Sequence, residues 1–256
     1  MLMMKLEPRM KMTVVGCGDA FCSDGRGHAC FRVEANGVVV AFDFGATALA
    51  AWRRLGFCPA NLDAVVVSHL HGDHFGGLPF LLLSLQYEKQ PRKPLLIVGP
   101  RGTREALDRA VALFYPHLGP REWKFEWRVE EVSAGSEISV LGSTLKAFRA
   151  RHGEALAALG FRFESAGGVF TYSGDTGWTE ELVEASRGAD LLVVECSTAD
   201  REIPGHIDLS TLRREFGRLA ARRVAVTHMG AGVRARQDEL TALGLLALDD
   251  GQIVEF

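Results

Sequence analysis

The stretch Ser68–His74 reads SHLHGDH, and it decides how the rest of the sequence is interpreted. It holds three of the chain's eight histidines and one aspartate. It directly follows Ala64–Val67, an apolar, mostly β-branched run that is typical of a buried strand. Neutral imidazole nitrogen and carboxylate oxygen are the ligands that zinc and neighbouring metals prefer. The sequence therefore predicts a metal site where this strand ends.

Side-chain direction within the segment predicts two metal positions. In an extended backbone, residues i and i+2 point the same way, so we expect His69 and His71 to reach one ion together. Gly72 is expected to let the backbone turn sharply, which would direct Asp73 and His74 toward a second position. The alternative is a solvated polar loop, but chance clustering of histidines in so short a stretch is improbable.

Further ligands are expected at the ends of other apolar strands, where loops on a rigid scaffold commonly present functional groups. His152, Asp175 and His228 each follow such a run. Each also has an ordinary alternative when taken singly. A lone histidine after a strand is more often a surface residue, and Asp175 fits a helix cap ahead of Trp178. Their shared context makes the metal interpretation stronger than any single position does.

The arrangement of strands and helices predicts an α/β fold with two sheets packed face to face and helices outside. The pair Asn36-Gly37 predicts a two-residue hairpin turn. Helices near the C-terminus are expected over Leu209–Ala221 and Arg234–Ala242. No linker or repeat interrupts the pattern, so residues 1–256 are expected to form a single domain.

Composition narrows the possible partners and location. The formal net charge is −3, which disfavours a protein that grips many phosphates of a nucleic acid. None of the five cysteines forms a C-x-x-C pair, and this usage is typical of a reducing cytoplasm. No apolar run reaches membrane-spanning length. We therefore expect a cytoplasmic protein without a membrane partner.

The H-x-H-x-D-H segment, followed in order by the later histidines and aspartate, resembles the metallo-β-lactamase superfamily across nearly the whole chain. This resemblance implies a four-layer αββα sandwich with the site at one edge of the sheets. It implies a hydrolase with two divalent ions, taken to be zinc, although manganese or iron also fit such ligands. A homodimer is a family-level expectation. The implied ligands are His69, His71 and His152 for one ion and Asp73, His74 and His228 for the other, with Asp175 bridging.

The two ions are expected to generate a metal-activated hydroxide, which Asp73 would orient. Metal-bound histidines need an acceptor for their other ring nitrogen. Asp43, at the end of a strand, is the candidate, although it also fits a turn or a helix cap. The block from Glu195 through His206 to His228 is similar to the ribonuclease Z branch of the superfamily. That similarity implies that His206, supported by Glu195, protonates the leaving oxygen of a phosphodiester.

One departure from that branch bears on the substrate. Enzymes of the branch that mature tRNA usually carry a long arm between the third and fourth metal motifs. Here His152 and Asp175 are separated only by two short strands joined at Gly167-Gly168. We therefore expect a small phosphodiester, such as a cyclic nucleotide or a nucleotide ester, and RNA is disfavoured. The alternatives are a lactone or thioester hydrolase on the same metal cage, a ribonuclease Z-like RNA endonuclease, and a non-catalytic metal-binding module.

Overall fold

Side-chain alternation along the strands builds the layers of this protein. The structure is a computed structural model that describes residues 10–118, 123–153 and 157–256. Along the strand that precedes the histidine segment, Ala64 and Val66 point to one buried face, and Val65 and Val67 point to the opposite buried face. A strand that is buried on both faces must lie in a sheet covered by another layer on each side.

The described residues form two sheets of seven strands each. The first sheet has the order β14-β1-β2-β3-β4-β5-β6, and the second has the order β13-β12-β11-β10-β9-β8-β7. The strands of the first sheet are β1 (Lys11–Gly16), β2 (Cys30–Ala35), β3 (Val38–Phe42), β4 (Ala64–Val66), β5 (Leu95–Pro100), β6 (Trp127–Val132) and β14 (Ile253–Glu255). Those of the second are β7 (Glu137–Val140), β8 (Ser143–Arg149), β9 (Leu159–Ser165), β10 (Gly168–Tyr172), β11 (Leu191–Glu195), β12 (Val224–Thr227) and β13 (Leu246–Ala247).

Helices cover the outer face of each sheet. The inner faces of the two sheets meet in one apolar core, and separate cores join each outer face to its helices. The expected four-layer αββα sandwich is therefore confirmed. The helices are α1 (Ala48–Arg54), α2 (Gly72–Phe75), α3 (Leu78–Tyr87), α4 (Thr103–Phe114), α5 (Glu180–Ser186), α6 (Leu209–Glu215), α7 (Ala231–Arg234) and α8 (Gln237–Ala242).

The strand directions place the carboxyl ends of several strands of the second sheet at the same edge of that sheet. Strands β3, β4, β5 and β6 run parallel, as do β10, β11, β12 and β13. Strand β8 is antiparallel to β9, which is antiparallel to β10, so β8 shares the direction of β10. Because the carboxyl ends of parallel strands meet at one edge of a sheet, the segments that follow β8, β10, β11 and β12 emerge together.

Two of the expected helices extend too far. The helix expected over Leu209–Ala221 ends at Glu215 and continues as a 3₁₀ turn over Phe216–Arg218, which contains the poor helix former Gly217. The helix expected over Arg234–Ala242 is broken at Arg236, whose φ of −118° and ψ of 27° are not helical. The chain forms α7 and α8 there instead.

The Asn36-Gly37 hairpin turn is confirmed, since both residues have a positive φ and join β2 to β3 in register. The short strand β14 was missed, because three residues carry too little alternation to indicate a strand. None of the helices among the described residues is both long and apolar enough to cross a membrane.

A substitution at Phe42 tests how much the core between the two sheets contributes to stability. Its side chain is fully buried, and its ring centroid lies 5.8 Å from that of Phe163, 4.8 Å from that of Phe170 and 6.4 Å from that of Tyr172. We expect Phe42→Ala to lower the free energy of unfolding by about 3–5 kcal/mol, because it leaves a cavity between two sheets that cannot both collapse. Urea denaturation monitored by fluorescence and circular dichroism measures this change.

The matched control is Phe21→Ala, the same substitution at a side chain that is 88% exposed. It should change the free energy of unfolding by no more than about 0.5 kcal/mol. A similar loss in both variants would show that the inter-sheet core does not dominate stability.

Candidate metal centre

The histidine segment follows β4 without a linker. The Ser68 amide donates to Asp43 Oδ1 at 2.7 Å, which fixes the second residue beyond the strand. His71 keeps an extended backbone, with φ −70° and ψ 152°, and α2 then begins at Gly72. Gly72 has no positive φ, and a Cβ there would meet nothing within 4 Å. The expected turn lies at Gly72, where the start of α2 redirects Asp73 and His74 to the second position, but it does not use a backbone conformation that requires glycine.

The second sheet supplies His152, Asp175 and His228, which follow β8, β10 and β12. Before Asp175 the chain turns at Gly174, whose φ is +57°. A Cβ at Gly174 would lie 2.8 Å from the Leu159 carbonyl oxygen, so only glycine fits. His228 has a φ of 55°, which is uncommon for a non-glycine residue. Such backbone strain concentrates at functional sites, because the surrounding structure must hold it in place.

The candidate ligands converge on two adjacent groups. In each group, one ligand atom from every member lies within 4.8 Å of those of the others. The first group consists of three imidazoles, and the second consists of two carboxylates and two imidazoles. The members are His69, His71 and His152 in the first group, and Asp73, His74, Asp175 and His228 in the second.

Buried ligand atoms without a hydrogen bond test whether metal ions fit here. Within the described residues, His69 Nε2, His74 Nε2 and Asp175 Oδ1 are buried and make no hydrogen bond, and the last two face each other as an ion pair at 3.3 Å. Buried polar atoms are normally satisfied, and leaving one unpaired costs about 1–3 kcal/mol. Nitrogen and carboxylate donors in this number suit zinc and similar divalent ions. The residues therefore fit a pair of divalent cations.

Three of the imidazole rings have partners at the far ring nitrogen that fix their orientation. His74 Nδ1 lies 2.6 Å from Asp43 Oδ2, and His152 Nδ1 lies 2.9 Å from the Gly205 carbonyl oxygen. His69 Nδ1 lies 3.1 Å from Ser68 Oγ. Such contacts leave the opposite ring nitrogen to face the centre, as metal-binding histidines require.

Asp43 has the supporting position that the sequence allowed for it. Its Oδ2 accepts hydrogen bonds from the Tyr172 hydroxyl at 2.6 Å and from Ser68 Oγ at 2.8 Å. Sequence reasoning missed Tyr172, because a tyrosine inside an apolar strand looks like an ordinary core residue. The Asp43 backbone is left-handed, with φ 57°, so it shares the strain seen at His228.

The charges of the two groups are mutually dependent. Burial and the neighbouring His74 hold the pKa of His69 well below its ordinary value, so this imidazole is neutral. Burial alone would raise the pKa of Asp175, but the charges of His228 and His74 outweigh it and hold that pKa well below its ordinary value. Neutral imidazole and ionised carboxylate are the forms that bind metal ions, so His74 and His228, whose pKa values Asp175 raises, would lose their protons as ions bind.

Glu195 and His206 form a pair beside these groups. Glu195 is fully buried at the end of β11, and its Oε1 lies 2.9 Å from His206 Nδ1. The same carboxylate accepts from the Thr176 amide at 2.8 Å and from Ser197 Oγ at 3.0 Å, so it is firmly held. Burial lowers the pKa of His206, but the hydrogen bond to Glu195 and its charge outweigh burial and raise that pKa.

His206 faces the candidate ligands. Its ring centroid lies 4.6 Å from that of His152 and 5.7 Å from that of His228. With Nδ1 engaged by Glu195, Nε2 is the nitrogen available to a bound molecule. The ordinary alternative of a solvated loop histidine does not describe this position, since His206 is largely buried against the cluster.

A cavity of about 670 Å³ opens above the cluster. Its walls are the loop of residues 19–23, the segment 197–206 and residues 228–232. Next to the first of these walls, a Cβ at Gly16 would lie 2.1 Å from the His28 carbonyl oxygen, so glycine permits a close approach to the chain's own backbone.

Comparison with known proteins places this geometry in context. The sequence model of the family described as "Beta-lactamase superfamily domain" matches residues 42–229. Ribonuclease Z of Methanosarcina acetivorans is 26% identical, over 88% of this chain and 85% of that protein. Ribonuclease Z of Mycobacterium bovis is 28% identical, over 72% of this chain and 69% of that protein.

Two solved structures share the fold. Human tRNase Z, short form, has a TM-score of 0.78 at 23% identity, covering 95% of this chain and 98% of that chain. A diphosphatase from the PhnP family also has a TM-score of 0.78, at 20% identity, covering 97% of this chain and 98% of that chain. At these identities the likeness concerns the fold.

Metal loading is the first prediction from this geometry. We expect the purified protein, stripped with a chelator and dialysed, to take up about two zinc ions per chain by elemental analysis. At about 100 times the dissociation constant, zinc should raise the melting temperature by about 5–10 °C, because the ions bind only the folded protein. Uptake of less than one ion with an unchanged melting temperature would contradict this assignment.

Asp43→Asn tests the support of His74. The amide keeps the size of the carboxylate but offers hydrogens toward groups that already donate to it. We expect the affinity for one of two zinc ions to fall about 10–100-fold, with the other ion unaffected, in calorimetric titrations. The matched control is Asp63→Asn, at a carboxylate outside the site. Asp63 Oδ2 accepts a hydrogen bond of 2.9 Å from the Val39 amide. Equal weakening of both ions, or of neither, would be inconsistent with this role.

Proposed function

The chain belongs to the beta-lactamase superfamily and is a metal-dependent hydrolase, and we propose that it hydrolyses small phosphodiesters such as a cyclic nucleotide or a nucleotide ester. The observation that carries the proposal is the Glu195–His206 pair beside the two ligand groups. A phosphodiester releases an alkoxide, which needs a proton as the bond breaks. An ester or lactone hydrolase depends more on stabilising an oxyanion.

The chain's own ligands would divide between two ions. His69, His71 and His152 would hold one ion, and Asp73, His74 and His228 would hold the other, with Asp175 between them. Bound divalent ions, which we take to be zinc, would supply Lewis acidity that lowers the pKa of water and neutralises charge on the phosphate oxygens. The protein contributes rigid placement, since His69, His74 and His152 are held at their far ring nitrogens.

Asp73 and His206 would handle the protons. Asp73 Oδ2 lies 3.3 Å from His228 Nε2, so its carboxylate is fixed within the second group and can accept a hydrogen bond from the attacking water. His206 Nε2 would donate its proton to the leaving oxygen as the phosphorus–oxygen bond breaks. Glu195 stabilises the protonated imidazole through Nδ1. Water and the diester thereby yield a phosphomonoester and an alcohol.

Two features support a small substrate. The cavity of about 670 Å³ falls within the range that encloses one small organic molecule. The segment 157–175, between the third and fourth metal motifs, forms the β9–β10 hairpin in place of the long arm that tRNA-maturing enzymes of the branch usually carry there.

A second candidate, an RNA endonuclease, is favoured by the similarity to ribonuclease Z over 88% of the chain. Parallel assays with a tRNA precursor decide between the two.

His206→Ala tests the proposed acid. We expect kcat to fall about 100-fold or more on an alkyl phosphodiester, because a poor leaving group depends on the proton from His206. The fall should be clearly smaller on bis(p-nitrophenyl) phosphate, whose leaving group is stable as an anion. Zinc content should stay at the wild-type level. Steady-state kinetics across a series of leaving groups, with metal analysis of each sample, measures both effects.

The control is His117→Ala, which removes an exposed histidine outside the cavity and should leave all rates unchanged. An equal loss of rate across every leaving group would remove His206 from the role of acid. Strong lactonase or thioesterase activity without phosphodiesterase activity in the wild type would overturn the proposed function itself.

A further inference from the structure

Phe21 is displayed at the rim of the cavity above the ligand groups. Its side chain is 88% exposed, more than that of any other large hydrophobic residue among those described. It lines the same cavity as His71, Asp73 and His228. A single exposed apolar ring is common on protein surfaces, but this ring lines the cavity above the ligand groups, where a bound molecule would contact it.

The loop that carries Phe21 is fixed. Asp19 is buried, and its Oδ1 accepts hydrogen bonds from the Phe21 amide at 3.2 Å and from the Ser23 amide at 2.9 Å. Its Oδ2 accepts from Ser23 Oγ at 2.7 Å. An aspartate side chain that closes a turn in this way defines the backbone around the next residues. The exposure of Phe21 is therefore imposed by the turn.

The base of the loop is tied to the C-terminal part of the chain. The Gly18 amide donates to the Gly27 carbonyl oxygen at 2.7 Å, which closes the loop. Asp250 accepts from the Cys17 amide at 3.0 Å and from the Gly27 amide at 2.7 Å. Both ends of the loop thus share one carboxylate, and the ring stands at a set distance from the cluster.

A second part of the cavity wall is also fixed. It presents the apolar side chains of Ala199 and Ile203. Asp200 between them forms a two-pronged ion pair with Arg236, with contacts of 2.7 and 2.6 Å. A cavity with fixed walls loses little freedom when a molecule binds.

We infer that Phe21 is the stacking platform for the base of a nucleotide substrate whose phosphate lies over the two ligand groups. This inference rests on the proposed phosphodiesterase function, because a phosphate at the cluster is what brings the base to the rim. The cavity accommodates one nucleotide. Stacking on an aromatic ring accepts every base through its π face, so the platform selects nucleotides as a class.

The test separates the base from the phosphate. Adenosine 5′-monophosphate and ribose 5-phosphate carry the same phosphate and differ by the base. Calorimetry with the zinc-loaded full chain measures both affinities without turnover. In the wild type we expect the nucleotide to bind about 5- to 150-fold more tightly than the sugar phosphate, the range typical of stacking on one aromatic side chain. Phe21→Ala should remove most of this difference and leave the affinity for ribose 5-phosphate unchanged, whereas Phe21→Trp should retain it.

The matched control is Phe114→Ala, which removes a half-exposed phenylalanine on α4 outside the cavity and should preserve the difference. No advantage of the nucleotide in the wild type, or an advantage that survives Phe21→Ala, would overturn the inference. Equal weakening of both ligands in Phe21→Ala would also overturn it, since the loop would then act through the phosphate. Absence of phosphodiester hydrolysis is a separate result that overturns the proposed function, because these affinities do not depend on turnover.

Discussion

The carboxylate of Asp43 is the contact on which the geometry of the metal centre depends. It follows a strand of the first sheet, and it binds the hydroxyl of Tyr172 from the second sheet and Nδ1 of His74 at 2.6 Å each. One fully buried group therefore ties both sheets to a candidate ligand. A buried carboxylate is costly unless hydrogen bonds satisfy it, and here Ser68 supplies two more. The left-handed backbone of Asp43 is tolerated because these contacts hold it.

The strand directions explain why charge accumulates beyond Asp43. Each sheet ends several of its strands at one edge, and the inter-sheet core brings the two edges together. The polar residues that follow the strands then have little water and many neighbours. Asp73 and Asp175 lie in one group with His74 and His228, whose positive charges offset the repulsion between the two carboxylates. Apolar packing in the core between the sheets offsets the unfavourable free energy of crowding these polar groups at one edge. The stability of the core and the geometry of the site are therefore linked.

Much of the fold could be predicted from the sequence, because alternation records which face of a strand is buried. The convergence of the four ligand-bearing segments could be anticipated from the ends of apolar strands. Helix ends were less accessible: the break at Arg236 coincides with its ion pair to Asp200, a contact distant in sequence. Tyr172 was missed because its hydroxyl partner lies in the other sheet. The local sequence pattern predicts which residues are buried. Polar contacts between residues of different sheets can be identified only after the packing of the sheets is known.

One loop positions both a candidate ligand and the proposed acid. The Gly205 carbonyl oxygen accepts from His152 Nδ1 at 2.9 Å, and the next residue is His206. A Cβ at Gly205 would lie 3.2 Å from the His152 Cα, and its φ is +85°, so glycine permits this close approach. The orientation of an imidazole in the first ligand group is thereby linked to the placement of the proton donor. Since Glu195 fixes His206 from the other side, the loop cannot shift one group without disturbing the other. The proposed metal binding and the proposed leaving-group protonation therefore depend on a single piece of backbone at this edge of the sandwich.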